Sequence, residues 1–245
     1  MEIAPGIRRL GNGLVNSYLL EASGAVTIVD AGLPGYYGHE LLDELAAMGR
    51  TIADVRAVVL THAHTDHIGF AERIRRERAV PVSVHEADAA LARGEIKPPR
   101  DPNGMKLSSV RPALLGFLWF AARHGMRIPP ILEVATFGDG ATLDVPGTPR
   151  VLLVPGHTAG SAALIFPSRD AVFVGDAFAT RNVMNGAVGP RLAPFGADLG
   201  QAFDSLARLE GVDARWILPG HGQPWTGGMA AAVARVRELG RPTRR

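Results

Sequence analysis

Apolar and polar positions follow a recurring order along this chain: a short β-branched run, a glycine-rich or polar break, then a helical stripe. "LVNSYLL" and "AVTIVD" are apolar runs of strand length separated by "EASG", a turn signature, and together they predict a hairpin. The bend "AGLPGYYG" leads into "HELLDELAAMG", where Leu41, Leu42, Leu45 and Met48 fall on one helical face that Gly49 closes. "VRAVVL" is apolar throughout and predicts a buried strand. An Arg/Glu-bearing helix from about Asp66 to Arg78 follows, and then a short strand in "VPVSVHEAD".

The middle of the chain breaks this rhythm. Gly94 to Asn103 is rich in proline, glycine and charge and reads as a loop; "PALLGFLWFAARHG" reads as a short, strongly apolar helix that serves either as core or as a lid. The final third returns to strands ending in polar loops, in "RVLLVPGHTAGS", "AALIFPSRDAVFVGDAF" and "ARWILPGHG". Two amphipathic helices accompany them, "LGQAFDSLARLEG" and "GGMAAAVARVRELG". With no short-period repeat and no convincing linker, residues 1–245 are expected to form a single domain.

Composition narrows the class. The 245 residues are 47% hydrophobic, enough for a substantial core. The longest apolar run, "ALLGFLWFAA", is about half the roughly 20 residues that a membrane span needs. No signal-peptide pattern follows the first arginines, so a cytoplasmic location and no membrane partner are expected. The absence of cysteine removes disulfides, thiolate nucleophiles and thiolate metal sites. The net charge of +2 depends on Arg241, Arg244 and Arg245, and the cluster Arg73, Arg75, Arg76 and Arg78 is interleaved with Glu72 and Glu77. Neither points to a nucleic-acid partner.

The chemistry gathers at strand ends. "VVLTHAHTDHIG" presents His62, His64, Asp66 and His67 directly after a strand; later strand ends supply His157, Asp176 and His221. In extended backbone, residues i and i+2 point the same way, so His62 and His64 can present two imidazoles to one ion, with Asp66 and His67 addressing a second nearby. Imidazole and carboxylate suit zinc, and also iron or manganese. His39, His85 and His124 lack this context.

"THAHTDH", "PGHTAGS", "VFVGDA" and "LPGHG", in this order and with "VDAG" near the start, resemble the metallo-β-lactamase superfamily of metallohydrolases, with a glyoxalase II-like set of metal-binding motifs. The resemblance implies an α+β fold, a four-layer αββα sandwich, with unmatched segments near 94–136 and 178–198 covering the substrate. It implies two divalent ions: one held by His62, His64 and His157, the other by Asp66, His67 and His221, with Asp176 between them. Asp30 and Thr158 would orient these ligands by hydrogen bonds. The implied reaction is hydrolysis of a small ester, thioester or lactone by a metal-bridging hydroxide, with Asp66 as proton acceptor. Trp119, Phe120, Phe178, Arg181 and Asn182 are the expected substrate contacts.

Departures from the pattern weigh against some members. Asp176 stands where β-lactamases of this type carry Cys or Ser, and Phe178 and Ala179 follow it where lactonases place a tyrosine. The alternatives are a mononuclear iron persulfide dioxygenase using His62, His157 and Asp176, a β-lactamase-type amide hydrolase, and a non-catalytic metal-binding sensor.

Overall fold

The structure, a computed structural model, describes residues 1–98 and 111–241. The predicted loop beyond residue 98, and Arg244 and Arg245, lie outside the described residues.

The first half builds a sheet of seven strands in sequence order: β1 (Glu2–Ala4), β2 (Ile7–Leu10), β3 (Ser17–Ala22), β4 (Ala25–Val29), β5 (Val55–Val59), β6 (Val82–His85) and β7 (Ala135–Phe137). The pairs from β1 to β4 are antiparallel, including the predicted β3–β4 hairpin; those from β4 to β7 are parallel. Helices α1 (His39–Ala47), α2 (Ala71–Arg78), α3 (Ala89–Ala92) and α4 (Pro112–His124) accompany it.

The second half builds a sheet from β8 (Arg150–Leu153), β9 (Ala162–Phe166) and β10 (Ala171–Gly175), while β11 (Ala179–Arg181) and β12 (Val188–Arg191) pair as a separate ribbon. Helix α5 (Leu199–Ser205), strand β13 (Trp216–Pro219) and helix α6 (Met229–Glu238) complete the chain, with β13 lying parallel beside β10.

The period of two along each strand explains the layering. Tyr18, Leu20, Val29 and Val59 of the first sheet meet Leu164, Phe166, Phe173 and Leu218 of the second in one buried cluster. The alternate residues Leu19, Val26, Ile28 and Val58 turn outward to Leu41 and Leu45 of α1 and Ile74 of α2. Ile165, Val172, Val174 and Ile217 turn outward to Ala232, Val233 and Val236 of α6. The result is the expected αββα sandwich.

Two local expectations are corrected. The α1 stripe buries Leu41 and Leu45 but leaves Leu42 49% exposed, because only one flank of the helix meets the sheet. Helix α2 starts at Ala71 rather than near Asp66. In the intervening turn the amides of Gly69 and Phe70 donate to Gly32 O and Ala31 O of a neighbouring loop, so these donors are not available for an intrahelical ladder. That tertiary diversion leaves Asp66 and His67 in irregular backbone.

Candidate metal centre

The strand ends converge on one edge of the sandwich. His62 and His64 follow β5, His157 follows β8, Asp176 follows β10 directly, and His221 follows β13. One ligand-type atom from each of His62, His64 and His157 falls within 4.8 Å of the others, and the same holds for Asp66, His67 and His221. The Asp176 carboxylate lies between the two groups. Its Oδ2 stands 3.3 Å from His157 Nε2 and 3.2 Å from His221 Nε2, and its Oδ1 stands 3.8 Å from His67 Nε2. Asp66 Oδ2 lies 3.4 Å from His221 Nε2.

The backbone is shaped for this crowding. Asp30, a non-glycine residue, takes φ +59° at the end of β4, the left-handed region that costs an L-residue energy and is tolerated where neighbours hold it. Its carboxylate is so held, accepting from Thr61 N at 2.7 Å, from Thr61 Oγ1 at 2.9 Å and from His67 Nδ1 at 2.9 Å. Gly220 answers a different need, since a Cβ there would collide with Asp176 Oδ1 and the His67 ring.

Hydrogen bonds fix which nitrogen is free in the His67 and His221 rings. His67 donates from Nδ1 to Asp30, and His221 donates from Nδ1 to Leu14 O, so in both rings the Nε2 lone pair points into the cluster. His62 Nδ1 is 3.1 Å from Thr61 Oγ1. The buried atoms His62 Nε2, His67 Nε2, His157 Nε2 and Asp176 Oδ1 have no hydrogen-bond partner. Buried polar atoms are rarely left so, and His62, His67 and Asp176 bring ligand-type atoms within 4.8 Å of one another, an arrangement that fits a cation. An all-nitrogen-and-oxygen donor set matches the divalent ions expected from the sequence.

The electrostatics agree. Burial pushes the pKa of His157 down to about 3 and that of His62 well below its ordinary value, leaving neutral imidazoles of the kind that bind metals. Burial alone would lift the Asp176 carboxyl, but His221 and His157 beside it hold it well below the usual range. At His67 the Asp30 and Asp66 carboxylates override burial and raise the pKa to about 10, so a cation at its Nε2 would have to displace the proton held there.

The other expected residues are placed less uniformly. Asp30 hydrogen-bonds the ring of His67, one of the expected ligands. Thr158 does not touch a ligand ring; it donates at 2.7 Å to Asp88 Oδ2. Asp88 also accepts from Ala63 N at 2.9 Å and Gly160 N at 2.7 Å, which ties the His62–His64 loop to the His157 loop. Asp88 was visible in "VPVSVHEAD" as one more acid just past a strand end.

Asn16 is the second residue that the sequence reading passed over. Its Nδ2 donates to Pro219 O and Gly222 O, both at 2.9 Å, and Tyr18 Oη donates to Pro219 O at 2.8 Å. Strand β3 and the turn before it thus clamp the loop that carries His221. A lone asparagine in an apolar run gives no such signal.

A cavity of about 310 Å³ opens beside His64, Thr65 and Asp66, walled by Phe117, Leu118 and Ala121 of α4 and by Phe195. The expected substrate contacts are corrected here. Trp119 points away, 66% exposed, and Phe120 is buried against Tyr36 and His124. One helical turn of 3.6 residues places 117, 118 and 121 on the cavity side instead. Phe178 is fully buried in the core against α6. Asn182 Oδ1 caps a turn, accepting from Met184 N and Asn185 N, and half-buried Arg181 on β11 does not line the cavity.

The sequence profile of the metallo-beta-lactamase superfamily matches residues 10–221. The chain belongs to this superfamily. It is 29% identical over 246 residues to the probable metallo-hydrolase YflN of Bacillus subtilis (strain 168), covering 92% of this chain and 87% of YflN. TTHA1623, solved in a di-iron-bound form, superposes with a TM-score of 0.62 at 28% identity, covering 94% of this chain and 96% of that one. The hydroxyacylglutathione hydrolase of Fuscovulum blasticum is 30% identical over 155 residues, 63% of this chain and 44% of that enzyme. Superfamily membership and the buried His/Asp cluster make this chain a metal-dependent hydrolase. No helix among the described residues is long and apolar enough to cross a membrane.

Proposed function

We propose that this metallo-hydrolase holds two divalent ions and cleaves a small ester, thioester or lactone. His62, His64 and His157 would hold one ion, Asp66, His67 and His221 the other, and Asp176 would contribute to both. The observation that carries this reading is the presence of two neighbouring triads, His62–His64–His157 and Asp66–His67–His221, each bringing one ligand-type atom per residue within 4.8 Å of the others. The di-iron form of TTHA1623 and the thioesterase activity named for the Fuscovulum relative support two ions and this substrate class. Zinc suits the donors best, and iron or manganese would occupy the same set.

When bound, the two ions would supply a water activated near neutral pH and positive charge for the oxyanion that develops on the substrate. The chain's own residues do the positioning. Asp30 and Leu14 O hold the His67 and His221 rings with Nε2 facing inward, and Asp88 sets the spacing of the two loops that bear His62, His64 and His157. His67 and His221 keep the Asp66 carboxyl below its usual range against the effect of burial, and Asp66 also faces the cavity. Its position at the cavity, rather than its basicity, is what would let one of its oxygens accept the proton of the attacking water.

Elemental analysis of protein purified without chelator tests the reading. Two zinc, iron or manganese ions per chain, together with chelator-sensitive hydrolysis of esters, thioesters or lactones, are expected. A single iron with oxygen consumption, or no metal at all, would overturn it.

A further inference from the structure

The cavity beside the ligands carries information about the substrate that the ligands do not. We infer that it binds the uncharged, apolar acyl or alkyl body of the substrate, so that the enzyme prefers neutral medium-chain esters or lactones to anionic conjugates such as glutathione thioesters. This rests on the hydrolase reading above.

The argument starts from the walls. On the ligand side the cavity is bounded by His64, Thr65 and Asp66; away from it the surface is apolar, with Leu33, Phe117, Leu118, Ala121, Ile128 and Phe195. Among the described lining residues no arginine or lysine faces the cavity, and the one carboxylate, Asp66, lies on the ligand side. A substrate carboxylate or phosphate carried into the apolar part, away from the ligands, would lose hydration and find no cationic or hydrogen-bonding side chain among the described residues. An alkyl chain would lose nothing polar and would release water from the walls.

Size and reach agree. About 310 Å³ lies at the lower end of the roughly 300–1,000 Å³ typical of ligand sites, too little for a peptide, an oligosaccharide or a folded nucleic acid. The Phe117 ring lies 6.3 Å from the His221 ring, so the apolar wall begins at the ligands themselves. At the far end Leu118 and Phe195 are 39% and 41% exposed, which leaves the cavity open to solvent. A chain whose reacting carbonyl sits at the ligands would run along α4 towards this rim.

The test is a series of p-nitrophenyl esters from acetyl to decanoyl, with an ω-carboxylate ester of octanoyl length, on the metal-loaded enzyme. We expect kcat/KM to rise at least tenfold from acetyl to octanoyl and to fall back for the ω-carboxylate ester. Ala121→Trp, which fills the cavity, should collapse the octanoyl-to-acetyl ratio. Leu118→Arg, which adds a cation at the rim, should raise the ω-carboxylate ester relative to octanoyl at least fivefold. Calorimetric binding of octanamide provides a readout without turnover, with a negative heat-capacity change in the parent protein and no binding in Ala121→Trp. If no ester is cleaved but octanamide binds in this way, the pocket stands and the ester-hydrolase reading fails. Ester cleavage with a flat chain-length profile, or an octanamide titration unaffected by Ala121→Trp, would overturn the pocket.

Discussion

The turn from Thr61 to Gly69 and the helix from Pro112 to His124 face each other across one cavity, and they are held in different ways. In the turn, His62 and His67 are wholly buried, and side chains or backbone from Asp30, Asp88 and Gly32 take up its polar groups. Helix α4 buries only Leu114 and Phe120, and leaves Leu115 and Trp119 57% and 66% exposed. The first arrangement resists displacement, because moving the turn breaks the buried hydrogen bonds of the Thr61 and Ala63 amides and of the His67 ring. Among the described residues the second is fastened by packing along one flank, and its cavity face is free to vary without disturbing the turn. Chemistry is thus placed on the over-determined side and selectivity on the adaptable one.

Substitutions can break this contrast, and the largest effects belong on the ligand side. His62→Ala or Asp176→Ala should lower hydrolysis by about a thousandfold or more and reduce the metal content per chain, read by elemental analysis beside the kinetics. Normal metal content in either variant would remove that residue from the ligand set.

Residues that hold the ligands should cost less. Asp88→Ala leaves Ala63 N and Gly160 N without their acceptor and should weaken metal affinity or activity about 10–100-fold, measured by competition with a chromogenic chelator. Asn16→Ala frees the His221 loop at Pro219 and Gly222, and should cost about tenfold in affinity for the ion at Asp66, His67 and His221 while sparing the other. A cobalt-substituted protein distinguishes the two, since the visible bands of only one site should change. Equal loss at both would show a general loosening instead.

The smallest effect lies on α2. Arg75 hydrogen-bonds Glu72 at 2.8 Å, and with the amide of Leu132 it holds the Glu72 carboxyl below its ordinary value against partial burial. A depressed folded-state pKa means that this stabilisation is complete above the unfolded value of about 4.3 and is lost as pH falls through the folded one. Glu72→Gln should therefore cost about 0.5–1 kcal/mol at neutral pH and progressively less in acid. Denaturant titrations at pH 7 and pH 3 measure this, and an equal loss at both would assign the effect to packing rather than charge.

Much of the site was legible because its signals are local. A strand followed by alternating imidazoles, as at His62 and His64, declares its chemistry in six residues, and Asp176 and His221 stand directly after strands whose apolar runs are plain. Asp88 was harder, since its role depends on two loops that meet only in the fold, and Asn16 was invisible because its partners lie 203 and 206 residues away. The substrate contacts failed for a related reason. Apolar character marked Trp119, Phe120 and Phe178 alike, but which face of α4 meets the cavity and which strand end meets α6 are set by packing.

The sequence by itself determined the strand period and the donor types available to a metal, because period and residue chemistry are properties of neighbouring positions, while the αββα layering was implied only by the family resemblance of its motifs. Only the tertiary structure decided that Asp176 stands between the two histidine groups, that Asp88 and Asn16 brace them, and that Phe117, Leu118 and Ala121 wall the cavity. Those are relations between distant segments, fixed by how two sheets and their helices bury their surfaces against one another.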